Sequence, residues 1–230
     1  MDTTRPHLAD RLSDVMVHRH PAFFGERRHA VLGAHGDKVH RQGLSAQSVR
    51  LDLNDPASIA AAAKEIGDAL GKLDILVNNA GIFDFADATP SKASIVAVRR
   101  VMETNFIGAL AVTQAMLPLL RAAPAARIVN LSNSLGSLKL NGDSTSTHYS
   151  QQYIGYNASK AALNMLTIQL NEELRETGIT VNSVSPGFVK TDLTGYGMMT
   201  PEQGARLPVQ YALGGDGSGR FVEPDGEAPW

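Results

Sequence analysis

The stretch Leu73-Asp-Ile-Leu-Val-Asn-Asn-Ala-Gly81 decides the fold of this chain. Its first five residues form a short, mainly apolar run, which is typical of a strand buried on both faces of a sheet. The next four are small or polar residues, which favour a turn and leave the backbone accessible. The stretch therefore predicts a buried parallel strand followed by a turn, at the edge where such sheets bind ligands.

The same alternation of short apolar runs and longer helical segments continues along the chain. Two further strands are predicted, at Arg127–Leu131 and Ile179–Val184. Strands joined by long helices need right-handed crossovers, so we predict an α/β fold with a doubly wound parallel sheet and helices on both faces. The predicted helices are Ala57–Leu70, Lys92–Ala122 and Tyr156–Thr177.

Composition excludes several classes of protein. With 230 residues and 24.5 kDa, the chain is long enough for one domain with a buried core. Its 21 Lys and Arg against 23 Asp and Glu argue against general nucleic-acid or anionic-membrane binding. The absence of cysteine excludes disulfides and a cysteine nucleophile. No apolar stretch approaches the ~18 residues of a membrane span, and the N-terminus carries charges, so we expect a soluble, cytoplasmic protein.

Tyr156 and Lys160, in the context Gly-Tyr-Asn-Ala-Ser-Lys, form the most informative pair of residues. A separation of four on a helix places both side chains on one face. A tyrosine ordinarily ionises near pH ~10, and a nearby cation favours the phenolate, so such a pair can serve as a general acid. The same spacing also arises by chance between a surface tyrosine and a solvated lysine.

Two turns follow predicted strands at one edge of the sheet, Asn78–Gly81 and Pro186–Asp192. Small residues there let a flat ligand approach the backbone. The alternatives are a tight strand-to-helix turn in the first case and loop punctuation by Pro-Gly in the second. No metal site is expected, because His18 and His20 lack spaced carboxylate or thiolate companions.

In their order along the chain, these motifs resemble those of the short-chain dehydrogenase/reductase family, and of its carbonyl-reductase-like branch. The similarity extends from about Val31 to Trp230. Each motif is weak alone, but the joint order is specific. The motifs are Leu51-Asp52-Leu53, Asn78–Gly81, Asn105 within Glu-Thr-Asn-Phe-Ile-Gly, Arg127–Ser132, Tyr156 with Lys160, Pro186–Asp192 and the closing Asp225–Trp230.

The resemblance implies a Rossmann sheet and hydride transfer between NAD(P) and a carbonyl or secondary alcohol. It implies that Tyr156 protonates the carbonyl oxygen, that Lys160 binds the nicotinamide ribose and lowers the tyrosine pKa, and that Asn105 holds a water. NADP is favoured over NAD, because no acidic residue ends the presumed second strand within His29–Asp37. The implied cofactor-binding residues are Asp52, Leu53, Asn79, Ala80, Gly81, Tyr156, Lys160, Pro186, Gly187, Val189 and Thr191.

The resemblance also implies a small carbonyl or alcohol substrate, with no nucleic-acid or membrane partner. The segment between Asn133 and Tyr156 is longer than is usual in the family. Insertions here in carbonyl-reductase-like members lie over a helix that otherwise forms a subunit interface, so a monomer is favoured and a dimer is possible. The stretch Gly195–Pro208 takes the place of the family's substrate-covering loop, or is an ordinary surface connection.

The N-terminal region departs from the family's pattern. The family's Gly-x-x-x-Gly-x-Gly turn brings the cofactor's pyrophosphate to backbone amides at a helix N-terminus. No combination of the early glycines, Gly25, Gly33, Gly36 and Gly43, has this spacing. We therefore divide the chain into an unmatched segment, 1–28, and a Rossmann-like domain, 29–230, whose first strand and glycine-rich turn are missing or altered.

A second departure concerns the serine that polarises the substrate carbonyl in the family, three residues before a glycine. Counting back from Gly136 gives Asn133, whose amide can still donate a hydrogen bond. A small shift of the strand end would bring in Ser134 instead. We favour Asn133 and expect weakened catalysis. The two departures leave an alternative function, a catalytically impaired or non-enzymatic remnant without the phosphate-binding turn.

Overall fold

The computed structural model describes residues 15–18, 29–32, 46–191 and 195–230, with side chains from residue 48 onward in those ranges. Expectations that concern the four early glycines and Asp192 lie outside the described residues. The strands are β1 (Val15–His18), β2 (His29–Leu32), β3 (Ala46–Val49), β4 (Ile75–Asn78), β5 (Arg127–Leu131), β6 (Thr180–Val184), β7 (Phe221–Glu223) and β8 (Gly226–Glu227). The α-helices are α1 (Pro56–Leu70), α2 (Ile95–Met102), α3 (Ala109–Arg121), α4 (Leu138–Gly142), α5 (Ile154–Glu173) and α6 (Pro201–Leu213).

The described strands form one eight-stranded sheet in the order β3-β2-β1-β4-β5-β6-β7-β8. The pairs β2–β3, β4–β5, β5–β6 and β6–β7 are parallel, which confirms the predicted α/β fold with a mostly parallel sheet. The expectation that every strand is parallel is wrong at two places. The short β8 returns antiparallel to β7, and β1 is antiparallel to both of its neighbours.

The direction of β1 alters the first strand of the fold, as the sequence predicts. Val15 pairs with Asn78 at the carboxyl end of β4, and His18 pairs with Ile75 at the amino end. The chain therefore leaves β1 at the edge of the sheet opposite to the one where parallel strands end. In a Rossmann sheet the glycine-rich turn follows the first strand at the carboxyl edge, whereas this β1 ends beside the amino end of β4.

Helix α1 follows the predicted signals. Asp55 is the N-cap, and its carboxylate accepts a hydrogen bond from the backbone N–H of Ala57 at 2.9 Å, with Pro56 in the first turn. Gly71 ends the helix with φ +71°, a left-handed conformation that glycine adopts without strain. The apolar face of α1 contributes Ile59, Ala62 and Ile66 to the core.

The single helix predicted over Lys92–Ala122 is instead interrupted. It begins at Ile95, after the N-cap Ser94, and a π-helical segment at Glu103–Gly108 separates α2 from α3. The predicted end of the third helix at Thr177 is also wrong, because α5 ends at Glu173 and the chain then turns. π-Helical segments are rare and frequently lie at functional sites.

Two apolar clusters cover the two faces of the sheet. Leu76, Ile128 and Val181 pack with α1, α3 and α5 on one face. The strand residues that point the other way pack against α6. Among the described helices, none is long and apolar enough to cross a membrane. The largest fully buried side chains are Phe221, Leu51, Ile66, Leu73, Leu76, Met116, Leu120, Ile128, Leu163 and Leu174.

Candidate active site

A buried ladder of polar side chains holds the carboxyl ends of the central strands together. Asn78 Nδ2 on β4 donates to Asn130 Oδ1 on β5 at 2.8 Å and to Thr113 Oγ1 on α3 at 3.0 Å. Asn130 Nδ2 donates to Thr167 Oγ1 on α5 at 2.8 Å, and Thr167 Oγ1 lies 2.8 Å from Ser183 Oγ on β6. The ladder links three strands to two helices, so the turns that leave these strands start from fixed positions.

Tyr156 and Lys160 lie in the first two turns of α5, and the structure brings them together as the spacing predicts. The Lys160 ammonium lies 5.7 Å from the centre of the Tyr156 ring. Lys160 is only 4 % exposed, and Nζ donates to the carbonyl oxygen of Leu131 at the end of β5 at 2.8 Å. No other hydrogen bond of this ammonium is found among the described residues, which leaves it two N–H donors.

Burial governs the ionisation of both side chains. It raises the pKa of Tyr156 to about 12 and lowers the pKa of Lys160 to about 8. The phenol is therefore protonated at neutral pH, and the lysine carries its charge below about pH 8. The expected lowering of the tyrosine pKa by the lysine is not found in this arrangement, because the cost of burying a phenolate dominates.

Asn105 lies in the π-helical segment and is fully buried. Its Nδ2 donates to the Ile82 carbonyl oxygen and to Ser159 Oγ, both at 3.0 Å, and its Oδ1 accepts from the Ile82 N–H at 2.7 Å. Both amide N–H groups are thus engaged with protein. The side chain joins the turn after β4 to α5, beside Lys160.

Two glycines face Lys160 closely. A Cβ on Gly81 would lie 3.4 Å from Lys160 Nζ and 3.6 Å from Asn105 Oδ1. A Cβ on Gly136 would lie 2.8 Å from the backbone carbon of Lys160, closer than packed atoms allow. The turns after β4 and β5 therefore close around this lysine, and a side chain at Gly81 would fill space next to its ammonium.

Asn133 and Ser134 take different positions at the end of β5. Asn133 caps the 3₁₀ turn Ser134–Gly136, and its Oδ1 accepts from the Leu135 N–H at 2.9 Å. Its Nδ2 has no hydrogen-bond partner among the described residues. The Ser134 hydroxyl is buried, donates to the Glu223 carboxylate on β7 and lies 3.3 Å from Ser185 Oγ. The Asn133 amide is therefore the one with a donor to spare.

The predicted cofactor residues between β3 and α1 have distinct environments. Asp52 Oδ1 accepts from the Asn54 N–H at 2.9 Å, and the Asp52 N–H donates to Ser58 Oγ at 3.0 Å. The Leu53 side chain is buried in the core against Gly108, where a Cβ would lie 2.7 Å from Leu53 Cβ. After β4, Asn79 is exposed and Ala80 is buried.

The loop after β6, with the predicted residues Pro186, Gly187, Val189 and Thr191, lies at the same sheet edge. Gly187 adopts φ +85°, and a Cβ there would lie 2.8 Å from Met199 Sδ. The loop is bridged to the segment before α6, where the Lys190 N–H donates to the Met199 carbonyl oxygen at 2.9 Å. The backbone of Gly187 therefore packs closely against the Met199 side chain.

Two residues at the site, Phe83 and Asp87, are not predicted from the sequence. The Phe83 ring lies edge-on to Tyr153, with ring centres 5.0 Å apart, and to Tyr156, with centres 5.6 Å apart. Asp87 binds the first turn of α5 through its carboxylate. An aromatic residue two positions after Gly81 is a weak signal for a site, and Asp87 has no sequence signal because its partners lie far along the chain.

Fold and site together define a Rossmann-like α/β protein with a half-buried tyrosine and a buried lysine where its central strands end. The sequence model of the short chain dehydrogenase family matches residues 22–199. The chain belongs to this family and is therefore an oxidoreductase. No group of three or more side chains suited to holding a metal ion occurs in the described part of the chain.

Relatives and solved structures agree with this assignment. Carbonyl reductase [NADPH] 1 of Rattus norvegicus is 31% identical over 234 residues, which cover 84% of this chain and 83% of that protein. Short-chain dehydrogenase anuI of Penicillium roqueforti is 37% identical over 170 residues, covering 72% of this chain and 67% of that one. The NADPH-bound carbonyl reductase from chicken fatty liver has a TM-score of 0.73 at 31% identity, covering 84% of this chain and 81% of that one.

Proposed function

We propose that this protein transfers hydride between NADP(H) and a small carbonyl compound or the matching secondary alcohol. The observation that carries the proposal is the buried Lys160 ammonium beside the Tyr156 ring, where β5 ends. The two carbonyl reductases named above support NADP(H) as the cofactor. The comparisons give no support to the alternative of a non-enzymatic remnant.

The residues around Lys160 fit the nicotinamide riboside end of such a cofactor. A buried ammonium that makes one hydrogen bond has donors left for ribose hydroxyls. Gly81 leaves room beside it that any side chain would occupy. The loop from Gly187 to Thr191 would hold the carboxamide, and Asp52 would lie at the adenine end. No combination of the early glycines has the spacing of the family's phosphate turn, and β1 runs antiparallel to β4.

Each residue then has a task in ketone reduction. The bound cofactor supplies the hydride that adds to the carbonyl carbon. Tyr156 gives its phenolic proton to the carbonyl oxygen, and solvent later returns a proton to the phenolate. A phenol with a pKa of about 12 is a weak donor at neutral pH, so the Lys160 charge must stabilise the developing phenolate. The free N–H of Asn133 Nδ2 would orient the carbonyl oxygen, in place of the usual serine.

Cofactor binding tests the proposal first. At a hundred times its dissociation constant, NADPH adds about 2.7 kcal/mol to the free energy of unfolding. For a chain of this size, that raises the unfolding midpoint by roughly 5 to 10 °C, at ~2 to 4 °C per kcal/mol. We expect this shift in thermal unfolding with NADPH, a smaller one with NADH, and oxidation of NADPH when a ketone is added. A cooperatively folded sample that shifts with neither cofactor contradicts the proposal.

Phe83 predicts a preference among ketones. Its ring packs on Tyr156 and forms an apolar wall next to the phenol, so a flat apolar substituent of the substrate can stack there. Replacing Phe83 with alanine is expected to lower kcat/KM for aryl ketones by roughly 2 to 13-fold, from the ~0.5 to 1.5 kcal/mol of one aromatic contact. Steady-state kinetics with an aryl ketone and with a small aliphatic ketone measure the effect.

Phe85 offers the matched control for this substitution. It is 80 % exposed, and its ring contacts Phe83 at 5.6 Å between ring centres. Phe85→Ala should leave kcat/KM for both ketones within about twofold of the parental value, because truncation of an exposed ring removes little contact area. An equal loss on both ketones in Phe83→Ala contradicts a role in selectivity.

The monomeric state and the cytoplasmic location remain part of the proposal. In support of a monomer, the long segment before α5 lies against that helix. Asn157 Nδ2 on α5 donates to Asn141 Oδ1 and to the Gln151 carbonyl oxygen, both at 2.8 Å.

A further inference from the structure

Asp87 lies in the loop between β4 and α2 and is 5 % exposed. Its Oδ1 accepts from the Gly155 N–H at 3.0 Å, and its Oδ2 accepts from the Tyr156 N–H at 2.8 Å. The Ala88 N–H donates to Oδ1 as well, at 3.0 Å. Within the described residues, this carboxylate forms no ion pair. Its charge is therefore compensated by backbone N–H groups alone.

The first turn of a helix has N–H groups without partners inside the helix, and usually the side chain of the N-cap residue accepts one of them. At the start of α5 the N-cap is Tyr153, whose side chain makes no such bond. The N–H groups of three successive residues are bound by residues 87 and 88 instead, since Ile154 donates to the Ala88 carbonyl oxygen at 3.0 Å. A distant loop thus supplies the cap of α5.

The contact is close as well as polar. A Cβ on Gly155 would lie 3.1 Å from Asp87 Oδ2 and 3.1 Å from Val98 Cα on α2. The turn of α5 that carries Tyr156 therefore packs between α2 and the loop that contains Asp87. The positive end of the helix dipole meets a buried negative charge there, which favours a single position of this turn.

We propose that Asp87 is a positioning residue for the reaction. Its carboxylate binds the N–H groups of Gly155 and Tyr156 and so fixes the position of the Tyr156 phenol relative to Lys160. The inference rests on the proposed function, because it concerns the geometry of that proton transfer. Asp87 does not contact the reacting atoms and acts only through the backbone of α5. Lys160 lies one turn further along and keeps its own anchor at Leu131.

The test compares Asp87→Asn and Asp87→Ala with Asp84→Asn. Asp84 lies in the same loop, is also buried, and pairs with Arg100 on α2 rather than with α5. Misplacement of a reacting group by ~1 Å can cost ~10²-fold in rate. We expect Asp87→Ala to lower kcat by about 10²-fold. Asp87→Asn, which keeps one acceptor oxygen, should lose less.

Three readouts separate positioning from general stability. In the Asp87 variants, the KM for NADPH should stay within about twofold of the parent, because Lys160 keeps its place. Hydrogen exchange measured by mass spectrometry should accelerate over residues 154–158. Asp84→Asn should lower the unfolding midpoint and leave kcat within about twofold. This pattern supports the proposal.

Other outcomes overturn it. If Asp87→Ala lowers the unfolding midpoint as Asp84→Asn does, yet keeps the parental kcat, Asp87 has no positioning role. The same conclusion follows if both Asp87 variants lose kcat without faster exchange at residues 154–158. A parent protein that shows no ketone-dependent NADPH oxidation defeats the proposed function itself, and that failure is visible before any variant is made.

Discussion

Replacing Tyr156 with phenylalanine is expected to lower kcat for ketone reduction by about 10² to 10⁴-fold, the range that a positioned general acid contributes. The substitution removes the phenolic proton and leaves the ring, which packs edge-on against Phe83. The shift of the unfolding midpoint with NADPH should therefore persist, because the Lys160 ammonium and its contact with Leu131 stay in place. Stopped-flow or steady-state measurement of NADPH oxidation gives the loss of kcat.

Tyr153 supplies the control for this substitution. It contacts the same Phe83 ring but lies at the N-cap of α5, before the turn that carries Tyr156. Tyr153→Phe should keep kcat within about threefold, since its hydroxyl has no assigned proton to give. A parental kcat in Tyr156→Phe would contradict the proposed mechanism. Equal losses of kcat in both variants would indicate a role of the aromatic cluster rather than of the phenol.

Replacing Gly136 with alanine is expected to destabilise the protein and to displace Lys160 at the same time. The new Cβ would lie 2.8 Å from the backbone carbon and Cβ of Lys160 and 3.0 Å from its carbonyl oxygen. These atoms belong to a packed helix and cannot rotate away. Overpacking of this kind costs about 1 to 3 kcal/mol, which lowers the unfolding midpoint by roughly 2 to 12 °C. Thermal unfolding and NADPH oxidation on one sample measure both effects.

Gly142 is the matched control for Gly136. It ends α4, and a Cβ there would meet no atom within 4 Å. Gly142→Ala should keep the midpoint or raise it slightly, because alanine loses less conformational entropy on folding. If Gly136→Ala is as stable and as active as Gly142→Ala, the close approach of the 3₁₀ turn to α5 is not a constraint on the site.

Much of the sheet is predictable from sequence because its strands are short apolar runs between turn residues. Arg127–Leu131 is predicted with the bounds that β5 has. Ends of helices are harder, and the third predicted helix extends past Glu173 because Gly178 is taken as its cap. In the structure, Gly178 has φ +76° but lies in a turn beyond the helix end. A glycine with the right conformation marks a turn without saying which residue ends the helix.

The π-helical segment shows what local pattern cannot reveal. The apolar period continues through Glu103–Gly108, and the contacts made at the interruption are tertiary. Gly108 packs against Leu53, and the Asn105 amide binds Ile82 and Ser159. Both sets of partners are distant in sequence. A single chain read by periodicity therefore predicts a continuous helix.

In the candidate site, too, contacts between residues close in sequence are predictable and contacts between distant residues are not. Tyr156 and Lys160 are found from sequence because four residues of helix bring them together. Asp87 meets Tyr156 across 69 positions of chain, and no spacing rule predicts that contact. Asn133 and Ser134 are adjacent, and the contacts of Ser134 with Glu223 and Ser185, which distinguish their environments, are distant in sequence.

The position of β1 has a consequence for association between molecules. Its four residues lie between β2 and β4, so among the described strands they alone link the pair β2–β3 to the strands from β4 onward. If β1 detached, Ile75–Asn78 would become an edge strand with unpaired N–H and C=O groups and apolar side chains. Exposed edges of this kind pair with other chains. We therefore expect the pairing of β1 with β4 to protect the central strands from association with other molecules.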